Sequence, residues 1–299
     1  GNAYDDGAIT GSNMIINGAM QVAQRGTSFT NNTGFKMDRW FVANPSTNSV
    51  SQVFDTTLNM YCMSVTQSAG YGTVYKIEDK DVKHLKVGDV VTLSYWINVT
   101  SGDFKISTNA TSQVSVSTTT IDTATGWYRR SASYTLTSSE VSAITGGSYL
   151  QINIEPSALA YKITGVQLEV GDTATPFEHR SYGDELAKCQ RYYYMLASGL
   201  NKSLPTGSYY SSSLVTTTVQ FPVTMRSAPT LDSISGSEYY GIYSNSGFDG
   251  FTHFTSTGRA QISGITLDAN GSGASGTVGF SGPMKTNNAN AYVALDAEL

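Results

Sequence analysis

The sequence predicts an all-β protein: an N-terminal jelly-roll β-sandwich, one connecting α-helix and a smaller C-terminal β-sandwich domain. Three observations carry that expectation. Short runs of alternating apolar and polar residues recur along the chain, separated by Gly, Pro, Asn and Ser. A single stretch changes to the helical period. Only 14% of residues are charged while 39% are hydrophobic, so uncharged Ser, Thr, Asn and Gly must supply the polar surface, as in β-rich display proteins. At 299 residues the chain sits where single cores stop growing, which makes two domains the default.

Residues 1–12, GNAYDDGAITGS, have too few apolar side chains to order themselves and read as a linker. From Asn13 the β-like runs begin: NMIING, DRWFVA, MYCMSV, DVVTLSYWINV, GDFKIST, QVSVST, WYRRSASYTL, YLQINI and YKITGVQLEV. Alternation is clearest at 91–99, where Val91, Leu93, Tyr95, Ile97 and Val99 share one face and form a core side. The opposite face carries Thr92, Ser94, Asn98 and Trp96, and Trp96 there covers either a sheet surface or a ligand. A second well-patterned strand, 161–170, closes the region, and a last strand returning to the first predicts a jelly roll over 13–180.

At 181–199 Ser181 and Asp184 have capping-box spacing, and Leu186, Cys189, Tyr193 and Leu196 fall on one stripe, which predicts a helix over roughly 182–197. Tyr192, Tyr193 and Tyr194 ring it on more than one side, so it needs several neighbours, as a connector or an inter-chain packing element. Residues 200–299 return to short strands, with Pro222 and Pro229 expected at edges or bends and 270–276 as a glycine-rich loop.

Composition removes several classes of function. A net charge of -5 and a pI near 5.2 leave no basic footprint for nucleic acid. Cys62 and Cys189 lie far apart and outside any ligand cluster, so both read as buried free thiols. No apolar stretch is long enough for a membrane span and no secretory leader opens the sequence, so synthesis in the cytoplasm without a signal peptide is expected. The first residue is Gly rather than Met, which leaves open whether an N-terminal attachment region belongs to the protein.

Of the three histidines, His84, His179 and His253, none belongs to a hydrolase, metalloprotease or nucleotide motif, and no cofactor or metal is expected. Asp79, Asp81, Glu155 and Glu178 would serve as a glycosidase pair only if folding set two of them about 5 to 9.5 Å apart. Glu78-Asp79-Lys80-Asp81 lacks the turn glycine of a calcium loop and reads as a solvated charged turn. Asp38 and Arg39 read as structural.

The aromatic residues point to sugar. Nineteen tyrosines stand beside 11 phenylalanines and three tryptophans, and tyrosine combines a flat apolar face with a hydroxyl at little rotamer cost. A pyranose has an apolar C–H face and a hydroxyl rim, so it needs a stacking ring flanked by polar groups. The densest such cluster holds Tyr239, Tyr240, Tyr243, Asn245, Phe248, Asp249, Phe251 and His253, with rings alternating with Gly, Asn and Asp as in a loop-borne site. Taken one at a time, Tyr239, Tyr243 and Phe251 read first as strand core, whereas the cluster as a whole reads as functional. Tyr209 and Tyr210 are a second candidate. In the first domain Trp96, Trp127 and Tyr128 form a candidate platform, Trp127 being equally readable as a strand-opening core residue.

Asn13-Met14-Ile15-Ile16-Asn17-Gly18, then Gln24-Arg25-Gly26 and Asp38-Arg39-Trp40, resembles the opening of many tail-fibre and related virion proteins of tailed bacteriophages. Gly165-Val166-Gln167-Leu168-Glu169-Val170-Gly171 with Ala174-Thr175-Pro176-Phe177-Glu178 resembles the last strand and exit of carbohydrate-binding-module jelly rolls. The segment 182–193, the motif 221–229 and the terminal Leu295-Asp296-Ala297-Glu298-Leu299 resemble the same tail-fibre family. The resemblance implies a trimeric, non-enzymatic receptor-binding protein at a fibre end. Its partners would be a host cell-surface polysaccharide or lipopolysaccharide and other virion tail proteins, with no nucleic acid and no membrane insertion. A polysaccharide depolymerase of a tail spike, or a purely structural virion component, is the alternative. The family offers no fixed binding motif, so the candidate residues rest on local chemistry.

Overall fold

The computed structural model describes residues 13–30, 33–43, 48–67, 72–99, 104–108, 113–115, 126–147, 149–156, 160–244, 247–256 and 258–299. The predicted linker at 1–12 and Asn245 lie outside them. The chain forms two compact units, 1–186 together with 299, and 187–298. Both are built from antiparallel sheets, as an all-β fold requires.

Unit 1 contains twelve strands: β1 Ser28–Thr30, β2 Gly34–Phe35, β3 Phe41–Val42, β4 Asn48–Asp55, β5 Met60–Gln67, β6 Thr73–Glu78, β7 Val90–Val99, β8 Phe104–Thr108, β9 Gln113–Ser115, β10 Trp127–Thr135, β11 Tyr149–Pro156 and β12 Ala160–Val170. They make two six-stranded sheets, ordered β1-β4-β5-β12-β7-β10 and β2-β3-β6-β11-β8-β9. From β5 onward the chain crosses repeatedly between the sheets, and the last strand, β12, lies between β5 and β7, which is jelly-roll topology. The alternation read at 91–99 holds: Val91, Leu93, Tyr95 and Ile97 are fully buried in the core with Ile163, Val166 and Leu168 of β12.

Two short helices were not expected. One is α1, Asp79–Val82, where the charged turn stands, with Glu78 buried just before it. The other is α2, Ser138–Thr145, opened by a capping box between Thr137 and Glu140 that the T-x-x-E spacing encodes.

The motif residues at the start of unit 1 interlock. The Asn17 side chain donates to Val22 O and Asp38 O at 2.8 and 3.0 Å and accepts from Val22 N at 2.9 Å. The Trp40 indole donates to Asn17 O at 3.0 Å, and Gln24 donates twice to the Asp38 carboxylate. Arg39 is buried, donates to Lys76 O and stacks its guanidinium over Tyr75. Asp38 and Arg39 are therefore structural. Gly18 carries no side chain because β12 passes directly over it: a Cβ there would stand 2.1 Å from Val166 O.

The helix at the unit boundary, α3 Tyr182–Gln190, opens as expected: Asp184 N donates to Ser181 Oγ at 3.2 Å and Ser181 Oγ donates back to the Asp184 carboxylate. It ends earlier than its periodicity suggests. Residues Tyr193–Ser198 are a strand, β13, because three successive tyrosines favour a pleated surface and the C-terminal strand supplies a ladder partner. Tyr193 is buried and reaches Asp232 with its hydroxyl, so it belongs to a sheet rather than a helical stripe.

Unit 2 continues with β14 Ser203–Ser211, β15 Leu214–Gln220, β16 Thr230–Ser233, β17 Tyr240–Ser244, β18 Gly247–Phe251, β19 Ala260–Gln261, β20 Gly264–Asn270, β21 Ser281–Thr286 and β22 Tyr292–Asp296. A three-stranded sheet, β13-β22-β16, and a seven-stranded sheet, β18-β17-β21-β14-β15-β20-β19, share one core of Tyr209, Val215, Val219, Tyr240, Ile242, Leu267, Met284, Val293 and Leu295. Pro222 and Pro229 fall between β15 and β16, outside any ladder.

Candidate functional site

The outer face of the β5-β12-β7-β10 side of unit 1 carries Trp96 and Trp127, and it is not an open platform. Thr92, Ser94, Thr164, Gln167 and Glu169 are polar yet buried there. The exit segment 171–180 satisfies three of them: Thr92 donates to Gly171 O at 2.7 Å, Gln167 donates to Thr175 and Pro176 and accepts from Glu178 N at 2.8 Å, and Glu169 accepts from Thr175, whereas Thr164 donates to Tyr61 O at 2.6 Å and Arg129 donates to Ser94. A bulge between Thr164 and Gln167 holds Gly165 at φ +59°, with the Trp96 ring directly above it and Met60 and Phe177 nearby. Trp96 packs over the bulge at Gly165 and is half-buried. Trp127 is 1% exposed, which makes it a packing residue.

In unit 2 the predicted aromatic cluster is a hairpin, β17 and β18, rather than a loop. Its register sorts the rings by the two-residue period. Tyr240 and Phe251 are paired in register and point inward; Tyr240 is 0% exposed and its hydroxyl donates to Ile234 O and Tyr292 O. Burial pushes the Tyr240 hydroxyl far above its ordinary pKa. Asp249 also faces inward, accepting from Tyr209 Oη at 2.5 Å and Ser275 N at 2.9 Å. Burial, and then this carboxylate, push the Tyr209 hydroxyl strongly upward. Tyr239 is half-buried and packs on the core, and His253 Nδ1 is engaged by Thr252 Oγ1 at 2.7 Å. Tyr240 and Phe251 thus build the hairpin and leave no surface for a ligand, while the half-buried Asp249 carboxylate is engaged within it.

Tyr243 and Phe248 remain. They are paired in register, their ring centroids lie 5.1 Å apart, and they are 45% and 38% exposed. Gly241 lets the Phe248 ring lie flat against the strand, since a Cβ there would stand 2.2 Å from Phe248 Cζ. Lys285 Nζ lies 5.4 and 5.1 Å from the two ring centroids and donates to Asn201 Oδ1 at 2.8 Å. The pair is therefore fixed from beneath and from the side, with its outer surface open.

The rest of that sheet face is rich in hydroxyls. Ser208 and Ser281 share a 2.9 Å hydrogen bond, Thr216 and Thr218 point outward between buried Val215, Thr217 and Val219, and Tyr210 is 75% exposed. At the far edge a cleft of about 420 Å³ is lined by Thr218, Gln220, Arg259, Gln261 and Thr266 among others. Arg259, one of the lining residues, is anchored by an ion pair with buried Asp268. Sequence reading missed Lys285, Thr218 and Arg259. The alternation of LVTTTVQ marks Thr218 as outward-facing, whereas nothing in the sequence pairs it with Arg259 or Tyr243.

Fold and site together define an all-β protein with an exposed aromatic and hydroxyl-bearing sheet face. No family profile and no curated protein matches the chain. Solved structures similar to it include the CBM22-1 xylan-binding domain of Paenibacillus barcinonensis Xyn10C, at 14% identity and TM-score 0.35, over 56% of this chain and 99% of that one. The tandem CBM22-1-CBM22-2 domain of the same protein is 10% identical with TM-score 0.35 over 97% of both chains. The enzymatically active domain of bacteriophage CBA120 tailspike protein 4 is 14% identical with TM-score 0.30, over 53% of this chain and 21% of that one. Likenesses this distant carry no argument on ligand or activity.

Proposed function

We propose that the chain is the receptor-binding tip of a phage tail fibre and attaches the virion to a host cell-surface polysaccharide or lipopolysaccharide. The observation that carries the binding part is the Tyr243–Phe248 pair, two rings held open to solvent on a rigid sheet by Gly241 and Lys285. The virion part is supported by the ordered motifs from Asn13 to Leu299 that resemble tail-fibre proteins. We read the action as holding rather than bond cleavage, a reading supported by Asp268, whose buried carboxylate is engaged by Arg259. Weak sites suit a homotrimer joined to other tail proteins, since linked copies raise avidity by about 10² to 10⁴.

A glycan array and a cell-adsorption assay on the full chain test the proposal. Tyr243→Ala and Phe248→Ala are each expected to weaken retention about tenfold, the equivalent of one stacking contact of about 1.4 kcal/mol. Unchanged adsorption in both variants would overturn the site, and release of new reducing ends from the bound polysaccharide would overturn the non-enzymatic reading. A monomeric particle in light scattering at micromolar concentration would remove the trimer.

A further inference from the structure

We infer that the glycan is a linear polysaccharide bound lengthwise across the strands of the seven-stranded sheet, so that an internal stretch of the polymer, not a terminal sugar, is recognised. The inference rests on the glycan-binding reading above and adds the ligand's shape. Its basis is one continuous row of outward side chains. Phe248 pairs with Tyr243 across β18 and β17. The next strand pairs Met284 with Ile242, which sets exposed Pro283 beside Tyr243. On β14 the irregularity between Leu204 and Gly207 places exposed Thr206 next in line, and Thr217 Oγ1 donates to Thr206 O at 2.9 Å, fixing β15 against it. Thr218 is then paired with Thr266 on β20, and Thr266 N donates to Arg259 O at the last edge.

Six of the seven strands thus contribute one residue each, Arg259 just before β19 ends the row, and all but half-buried Thr266 are exposed. Six strand spacings of about 4.8 Å give a track of about 29 Å. A pyranosyl unit of a linear glycan advances by about one such spacing, so about six sugars match the row. The order of chemistry along it suits such a chain. Rings at one end take a C–H face, Pro283 continues the apolar floor, threonine hydroxyls meet the hydroxyl rim, and the amides and guanidinium of the cleft close the far end. A site for a single terminal sugar would need these groups gathered around one point, and they are strung out instead.

The test uses oligosaccharides of one to eight units, cut from the polysaccharide that the full chain selects on a glycan array, in calorimetric titrations. Affinity is expected to climb with length and level off near six units. Phe248→Ala and Thr218→Val, on separate strands of the row, are each expected to weaken the six-unit ligand several-fold, while a two-unit ligand responds to only one of them. Thr218 is exposed and valine suits a strand, so that variant keeps the fold; Arg259→Gln adds the far end, with circular dichroism checking the loss of its pair with Asp268. A two-unit fragment that binds as tightly as six, or Thr218→Val and Arg259→Gln that leave the six-unit affinity untouched, would overturn the track while the ring-pair site stood. Failure of the full chain to retain any saccharide would remove both.

Discussion

Replacing Arg180 with Met is expected to cost unit 1 about 3 to 5 kcal/mol, the loss found when one partner of a buried ion pair is removed. The magnitude follows from the surroundings. The Arg180 side chain is 11% exposed and donates to Glu185 at 3.0 Å, to Glu178 at 3.1 Å, to Ile15 O at 3.0 Å and to Asn13 O. Burial works against its charge, yet the bonds to Glu178 and Glu185 outweigh it and hold the guanidinium above its ordinary pKa. Methionine fills part of the volume but leaves the buried Glu185 carboxylate and two backbone carbonyls without this donor. For a unit of this size each kcal/mol moves the melting temperature by about 2–4 °C, so calorimetry on the full chain should find a transition lowered by about 6–20 °C. Arg180→Met with Glu185→Gln should recover part of that loss, because the uncompensated charge is gone. A shift below about 1 kcal/mol would place the cluster with exposed ion pairs and refute the reasoning.

Gly18→Ala would drive a Cβ to 2.1 Å from the Val166 carbonyl, so soluble yield should collapse or stability fall by more than about 2 kcal/mol; a variant that melts like the parent would show that β12 can move aside. Burial pushes the Tyr161 hydroxyl up to about 12, against an opposing bond to Thr73. Its folded pKa exceeds the unfolded value near 10, so its contribution is complete below about pH 10 and is lost as pH rises toward 12. In Tyr161→Phe, stability measured by urea unfolding should therefore fall less steeply across that window, by about 1.4 kcal/mol per pH unit at most; identical slopes would refute the assignment. Burial pushes the Cys62 thiol up to about 11, so at pH 8 the native chain should leave this thiol unmodified by a thiol reagent that labels it fully in denaturant.

Much of unit 1 was legible because its strands keep their faces. The alternation at 91–99 located the core, and the opening motif resolved into Asn17, Gln24, Asp38 and Trp40 bonded to one another. The helix in 182–197 was overextended, because a tyrosine run satisfies a helical stripe and a strand equally until a ladder partner, β22, decides. In the aromatic cluster, glycine and asparagine imitate a loop, yet Tyr240–Ser244 and Gly247–Phe251 pair as two antiparallel strands, and once they do, neighbouring rings must go to opposite faces.

That sorting explains why a dense aromatic segment yields only two binding candidates. Tyr240 and Phe251 hold the hairpin to the core, so the energy that positions Tyr243 and Phe248 comes from the rings that no ligand touches. The remaining members of the row, from Pro283 to Arg259, come from strands brought together only by sheet order. Local spacing cannot encode a row that runs perpendicular to the chain. The motifs, by contrast, are local because their task is local: they fasten the first turns of the jelly roll to its last strand. A chain built this way can exchange outward residues on the seven-stranded sheet without disturbing a motif, since in the register observed each outward position is backed by a buried partner on the same strand.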